Sequence, residues 1–292
     1  MIIAILGPTA SGKTKVAIEV ALAVGGEVIS VDSVQVYRGM DIGTAKPTME
    51  ERRGVVHHMI DIVEPSEEFT VAQFAAAGRE IIEGAQAPLI ICGGSGLHFR
   101  SLVDPMSFAP TDPDLRRDLE ALGVEELRRR LLAADPRAGD HVDLENHRRI
   151  VRALEILELT GLTPSDRASA PEAERLRRYE ARYEFEAFGI DPGDHLDDRI
   201  EVRLDEMRER GLVDEVRALW PHMGRTARSA VNYRQIGDHL EGRSTEDEAF
   251  REAARATKRL ARRQRTWFRR DPRVRWIPWE PGSMTDRILE AL

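Results

Sequence analysis

The chain has 292 residues, with 43 Lys and Arg against 51 Asp and Glu, a net charge of −8, and 41% hydrophobic against 32% charged residues. That length suits one large or two small domains with a substantial core, and the balance excludes a disordered chain. No apolar run approaches the ~20 residues of a membrane-spanning helix, and the single cysteine, Cys92, excludes an intrachain disulfide or a cysteine-built metal cluster.

In chain order, Ile2 to Leu6 reads as a first strand rather than a leader peptide, and Gly7 ends it. Lys13 to Ala23 suits a helix, Val28 to Val31 a second strand, Phe69 to Glu83 a helix, and Pro88 to Cys92 a third strand. Strands alternating with helices predict an α/β fold with a parallel sheet flanked by helices. In such sheets ligands sit beyond the carboxyl ends of the strands. All three strands end in candidate chemistry: Gly7 to Thr14, Asp32-Ser33, and Gly93-Gly94-Ser95-Gly96. From Asp112 to Gly161 the pattern is helical and dense in Arg, Leu and Glu, and Thr163 to Pro171 is a polar break. Tyr183 to Ile190 alternates like a strand that returns to the sheet, so 112–180 is expected to be a helical insertion in a core of 1–111 and 181–292. Asp197 to Arg210 and Glu246 to Arg269 complete the predicted helices.

Gly7-Pro8-Thr9-Ala10-Ser11-Gly12-Lys13-Thr14 satisfies the phosphate-loop pattern, with a strand before it and a helix after it. The glycines let successive N–H groups face an anion, Lys13 adds a point charge, and the Thr14 hydroxyl can bind Mg²⁺. The loop alone does not distinguish ATP from another diphosphate. The segment Asp32 to Pro47 is long and poor in periodicity, which marks a functional loop. By its position Asp32 is a general base, a helix cap or a water-mediated Mg²⁺ ligand, and local sequence leaves these open. Between Arg251 and Arg275 eleven Lys or Arg face only two acids, a local field that can hold a phosphate backbone despite the acidic whole. His57-His58 reads as surface or core rather than a metal site, and Trp220, Trp276 and Trp279 as packing residues.

Five ordered motifs, GPTASGKT, DSVQVYRGMDIGTAKP, CGGSGLHF, VNYRQ and TKRLARRQRTWFRR, together resemble the tRNA dimethylallyltransferases. The resemblance implies a P-loop NTPase-like core and transfer of a dimethylallyl group from dimethylallyl diphosphate to the N6 amine of adenosine 37, in tRNAs reading codons that begin with U. It implies that Gly7, Pro8 and the stretch from Thr9 through Ala10, Ser11, Gly12, Lys13 and Thr14 hold the donor diphosphate, with Thr9 also catalytic and Thr14 on Mg²⁺. Arg203 resembles the arginine that reaches the diphosphate, with Arg199 its competitor four residues away. Asp32 takes the place of the general base. The tRNA anticodon stem-loop is implied to meet Asp32, Ser33, Val34, Gln35, Ser95 and Arg116. Further contacts are implied at Arg148, Arg149, Ile150, Val151 and Arg152, and at Ser229, Ala230, Val231, Asn232, Tyr233 and Arg234.

The chain departs from the family pattern at Ser95 (usually Thr), His98 (usually Tyr), Asn232 (usually Gly) and Val142 to Asn146. His98 has no evident partner in the sequence and reads as a packing or polar contact. Rival readings are a shikimate-kinase-like small-molecule kinase, a prenyltransferase acting on free adenine nucleotides, and a P-loop RNA-binding module without activity. The kinase leaves Tyr37 to Pro47 and the basic tract without a role. The basic tract and the insertion argue against a free-nucleotide substrate. The expected protein is a cytoplasmic monomer.

Overall fold

The computed structural model describes every residue from Met1 to Leu292. The chain divides into two compact units, one of Met1–Val103 with Tyr183–Leu292 and the other of Asp104–Arg182. The smaller unit starts eight residues before the expected 112 (112 − 104) and ends two after the expected 180 (182 − 180).

The larger unit begins with β1 (Ile2–Leu6), the P-loop and α1 (Lys13–Val24). Gly12 caps α1 at φ 90° and Gly25 ends it at φ 64°, both left-handed angles that favour residues without a Cβ. After β2 (Glu27–Val31) and the short β3 (His57–His58) comes α2 (Val71–Gly84), started by a Thr70–Gln73 capping box. β4 (Leu89–Gly93) leads into α3 (Gly96–Val103).

The smaller unit holds α4 (Pro113–Glu120), α5 (Val124–Ala134) and α6 (His147–Thr160), followed by two short helices. Those two, Pro164–Ser169 and Pro171–Arg177, replace the expected polar break, because each starts on a proline at a position where no backbone donor is needed. Leu119, Leu127, Leu131, Ile150 and Leu154 close a separate small core there.

The chain then returns as β5 (Glu186–Ile190), α7 (Leu196–Glu209), α8 (Leu212–Leu219), α9 (Tyr233–Leu240), the long α10 (Glu246–Arg269), β6 (Val274–Ile277) and α11 (Met284–Glu290). The sheet has six strands in the order β3-β2-β4-β1-β5-β6, and every pairing is parallel. Alternation along β1 sends Ile3 and Ile5 to one face, with Val16 and Val20 of α1 and Ile288 of α11. Ala4 and Leu6 face the larger core, with Phe74, Phe99 and Phe268. β3, β6, α3, α8, α9 and α11 were not anticipated: the strands are two and four residues long, and the helices at most eight, too short for periodicity to register.

α10 shows why a charged segment folds as one helix. Thr245 caps it with Glu248, and Glu246, Asp247 and Glu248 fill its first turn, favourable at a helix N-terminus. Its buried side, Ala249, Ala253, Ala256, Ala261 and Phe268, recurs at helical spacing and lies in or beside the core.

Candidate active site

Because β4 lies between β1 and β2, three turns meet side by side at the carboxyl edge of the sheet. The P-loop follows β1, Ser95 follows β4, and Asp32 follows β2. The Ser95 N–H donates to the Val31 carbonyl at 3.2 Å, which fixes the middle turn against the strand that presents Asp32.

Asp32 closes a local turn and remains available at once. Its Oδ1 accepts the Val34 N–H at 2.9 Å and the Gln35 N–H at 3.4 Å, while Oδ2 has no protein partner. The cap holds the carboxylate in place and leaves an oxygen to receive a proton. The Asp32 charge reaches Lys13, Arg203 and His98.

In the P-loop, Lys13 Nζ donates to the Pro8 carbonyl at 3.1 Å. Burial pulls the Lys13 and Arg203 pKa values below their ordinary ranges, with Asp32 partly opposing in both. The Ser11 Oγ is buried with no protein hydrogen-bond partner, an orphan that suits a loop made for a polar ligand. A cavity of about 390 Å³ opens here, lined by Gly12, Lys13, Thr14, Ala45, Pro47 and Arg203. The two arginines of α7 divide their work. Arg199 Nε donates to the Ala10 carbonyl at 2.7 Å and its guanidinium lies over Trp279, so it shapes the loop. Arg203 lines the cavity, with Nη1 3.4 Å from Thr9 Oγ1.

A divalent ion fits this loop. Thr14 offers its hydroxyl, and no group of three His, Cys, Asp or Glu side chains converges anywhere in the chain. An ion here would therefore take most of its ligands from a bound diphosphate and water. Cys92 is no competing nucleophile, since burial pushes its thiol up to about 11.

The segment after β2 is pinned from inside. Lys46, almost fully buried, bonds the Tyr37 carbonyl at 2.9 Å, Asp41 at 2.6 Å and Asp61 at 2.5 Å. Gln35 accepts from Ser30 and donates to the Thr44 carbonyl at 3.2 Å, so its side chain spans the loop instead of facing RNA. Glu215 of α8 accepts the N–H groups of Asp41, Ile42 and Gly43 and the Tyr233 hydroxyl, the last at 2.6 Å. Asn232 stands at φ 77° and donates to the Gly43 carbonyl at 2.8 Å. Gly43 cannot be larger, since a Cβ there would lie 2.5 Å from the Tyr233 ring.

The VNYRQ motif is thus mostly a clamp on this loop. Asn232, Tyr233 and Gln235 are buried, Val231 is half-buried and Arg234 is exposed; just before the motif, Ala230 is buried and Ser229 exposed. In the smaller unit Ile150 and Val151 are core residues, whose side chains do not reach RNA. Arg116 and Arg152 are committed to the fully buried Glu155 at 2.8 and 2.6 Å. Arg149 is 3.6 Å from Asp143, and Arg148 is exposed without an ion pair. Ser33 is exposed and Val34 half-buried beside Asp32.

The basic tract is also largely neutralised. Glu252 pairs with Arg255 and Arg259, Glu201 with Lys258, Asp197 with Arg262, and Asp191 with Arg265 and Arg269. Arg273 and Arg275 pair with Asp271 and Glu186. Eight of the eleven cations are thus paired, leaving Arg251, Arg263 and Arg270 (11 − 8 = 3).

Sequence reasoning missed Gln264, whose Oε1 accepts the Thr9 N–H at 2.8 Å and ties α10 to the P-loop. The available signal was a lone uncharged polar residue inside a basic run. Trp267 belongs to the same helix. That ring covers Gly96, where a Cβ would sit 1.8 Å from the indole, yet remains 43% exposed. His98 does have a partner: its Nδ1 lies 2.7 Å from Ser95 Oγ. His58 bonds Glu27 at 2.7 Å at the sheet edge, away from any metal cluster.

The sequence profile of the family described as IPP transferase matches residues 35–271, and that described as isopentenyl transferase matches residues 1–64. The chain belongs to the IPP transferase family. It is 46% identical to a tRNA dimethylallyltransferase of Streptomyces avermitilis, over 100% of this chain and 94% of that protein. A tRNA dimethylallyltransferase of Thermobifida fusca is 44% identical over 99% of this chain and 93% of the relative. Among solved structures, a full-length tRNA isopentenylpyrophosphate transferase of Bacillus halodurans aligns with TM-score 0.72 and 38% identity, over 99% of this chain and 93% of that one. A Staphylococcus epidermidis tRNA isopentenylpyrophosphate transferase gives TM-score 0.72 and 32% identity, covering 99% and 97%. The P-loop NTPase-like fold and the prenyltransferase class follow, and the kinase reading is not favoured. No helix is long and apolar enough to cross a membrane.

Proposed function

We propose that this enzyme transfers a dimethylallyl group from dimethylallyl diphosphate to the N6 amine of adenosine 37 in tRNAs reading codons that begin with U. The observation that carries the reading is the half-free Asp32 carboxylate beside a phosphate loop backed by the half-buried cations Lys13 and Arg203. Substitution at an allylic carbon leaves negative charge on the departing diphosphate. Lys13, Arg203 and the loop amides offset that charge in a half-buried cavity. Asp32 Oδ2 accepts the proton that the amine loses as the N–C bond forms. Mg²⁺ is the cofactor this reading expects: the Thr14 hydroxyl would help to hold it, and it would supply charge neutralisation to the leaving group.

The target adenine must leave the anticodon stack, at a cost of about a few kcal/mol, offset by contacts to the RNA backbone. Ser33, Val34, Ser95, Arg148, Arg149, Ser229, Val231 and Arg234 are predicted RNA-facing residues that keep accessible side chains, and Arg263 and Arg270 add unpaired charge. Arg116, Arg152, Asn232, Tyr233 and Gln35 act by holding the frame. The enzyme works as a cytoplasmic monomer.

The test uses labelled dimethylallyl diphosphate, Mg²⁺ and unmodified tRNA carrying adenosines at 36 and 37. Label is expected on tRNA. Label on AMP, or phosphate transfer from ATP, refutes the assignment.

A further inference from the structure

The mechanism above uses one proton acceptor, yet a second polar pair sits at the neighbouring strand end. Ser95 Oγ and His98 Nδ1 are 2.7 Å apart on the first turn of α3. Both residues are half-buried. The His98 ring is held edge-to-face by Phe74 of α2, with centroids 4.6 Å apart, which fixes its orientation. Asp32, at the end of β2, is the charged group whose field reaches the ring. From α10 the nearest cover on this turn is the neutral indole of Trp267, over Gly96.

We infer that His98 is a positioning residue that makes the Ser95 hydroxyl a hydrogen-bond acceptor, so that Ser95 and Asp32 together select a purine bearing a 6-amino group. The inference rests on the prenyl-transfer reading of the site. A hydroxyl has one proton and two acceptor lone pairs, and its neighbour decides which way the proton points. With a neutral ring protonated on Nε2, Nδ1 accepts the Ser95 O–H. The Ser95 lone pairs are then turned outward. An exocyclic amine offers two N–H groups: Asp32 takes one proton as the N–C bond forms, and Ser95 holds the other hydrogen. A 6-oxo purine presents an acceptor to both groups and is refused. When the ring is protonated, Nδ1–H donates into Ser95 Oγ. The serine proton is then released from the ring, and in its outward rotamer it meets the amine hydrogen head-on, leaving a single lone pair to accept in the others.

Burial lowers the His98 pKa, and Asp32 only partly opposes this, so the ring is neutral at pH 7. Transfer should therefore fall as pH drops through a value below the ordinary 6.5 of histidine.

The test compares the parent with His98→Phe and His98→Asn on an unmodified anticodon stem-loop, with kcat and KM measured from pH 5 to 8. Asparagine can present an amide oxygen to Ser95 and does not titrate. His98→Phe is expected to lower kcat about tenfold, the worth of one hydrogen bond, with the dimethylallyl diphosphate KM unchanged. His98→Asn is expected to regain most of that loss and to lose the His98 contribution to the acid limb. Full activity in His98→Phe, or an acid limb in His98→Asn identical to the parent's, overturns the inference. Circular dichroism of each variant separates misfolding, and the parent's pH profile alone still tests the titration. Failure of the parent to prenylate any tRNA would instead overturn the underlying function.

Discussion

Two regions are each organised around one carboxylate, and they use it differently. In the larger unit Glu215 gathers three successive backbone N–H groups of Asp41 to Gly43 and the Tyr233 hydroxyl. In the smaller unit Glu155 gathers two guanidinium groups and the Asp112 N–H. The first shapes a loop that lines the donor cavity. The second builds a frame around arginines for which the family resemblance implies RNA contact. Both show that a residue in a binding motif can act through its neighbours, because a buried carboxylate needs its donors satisfied before anything else can use them.

The comparison implies that chemistry resides at the sheet edge, so the largest effect should come from Asp32. Asp32→Asn keeps the cap oxygen and removes the base, and kcat should fall about 10³-fold with tRNA affinity unchanged. A fall in tRNA affinity, read by filter binding, would make Asp32 an RNA-positioning residue instead.

Next comes the smaller unit. Glu155→Gln breaks a buried ion-paired hub and should destabilise that unit by about 3 kcal/mol. Burial pushes the Glu155 carboxyl up, but bonds from Arg116, Arg152 and the Asp112 N–H outweigh it and hold the pKa below 4.5. Its stabilisation is therefore complete above 4.5 and lost as pH falls through the lower folded value. Hydrogen exchange of α6 amides in the full chain should lose protection in that acid window, and in Glu155→Gln the window should vanish.

A smaller effect is expected from Glu215→Gln. The amide oxygen keeps only part of the set of backbone donors, and kcat should drop with a loss of about 2 kcal/mol in stability, while tRNA affinity holds. If tRNA affinity falls as far as kcat, the loop contacts RNA directly and the contrast with Glu155 fails.

The smallest effect separates free from paired cations. Arg263→Gln and Arg270→Gln should each reduce the salt slope of tRNA binding by about one, whereas Arg265→Gln, paired with Asp191, should lower melting temperature and leave the slope alone. A slope unchanged in all three would make this basic tract a plain solvated surface, and a slope reduced equally in all three would make the Asp191 pair no bar to RNA contact.

Much of this was legible along the chain. The P-loop, Asp32 and the Ser95 turn were each read at a strand end, because alternating strands and helices fix where the carboxyl edge must be. The resemblance carried further, to Arg203 with Arg199 as its competitor; Arg203 lines the cavity, while Arg199 bonds the Ala10 carbonyl. What the sequence could not give was who pairs with whom. Glu215 meets Gly43, Gln264 meets Thr9, and Asp191 meets Arg265, each across more than seventy residues. No local period records such partners.

Composition, strand-to-helix alternation and motif spacing determined the α/β core, the phosphate loop and its helix, since backbone geometry enforces those patterns within a few residues. Tertiary packing alone decided which charges stay free for RNA and which are spent on the frame. It also decided that Gln264 would find Thr9, because a hydrogen bond depends on distance in space, which linear order leaves unset.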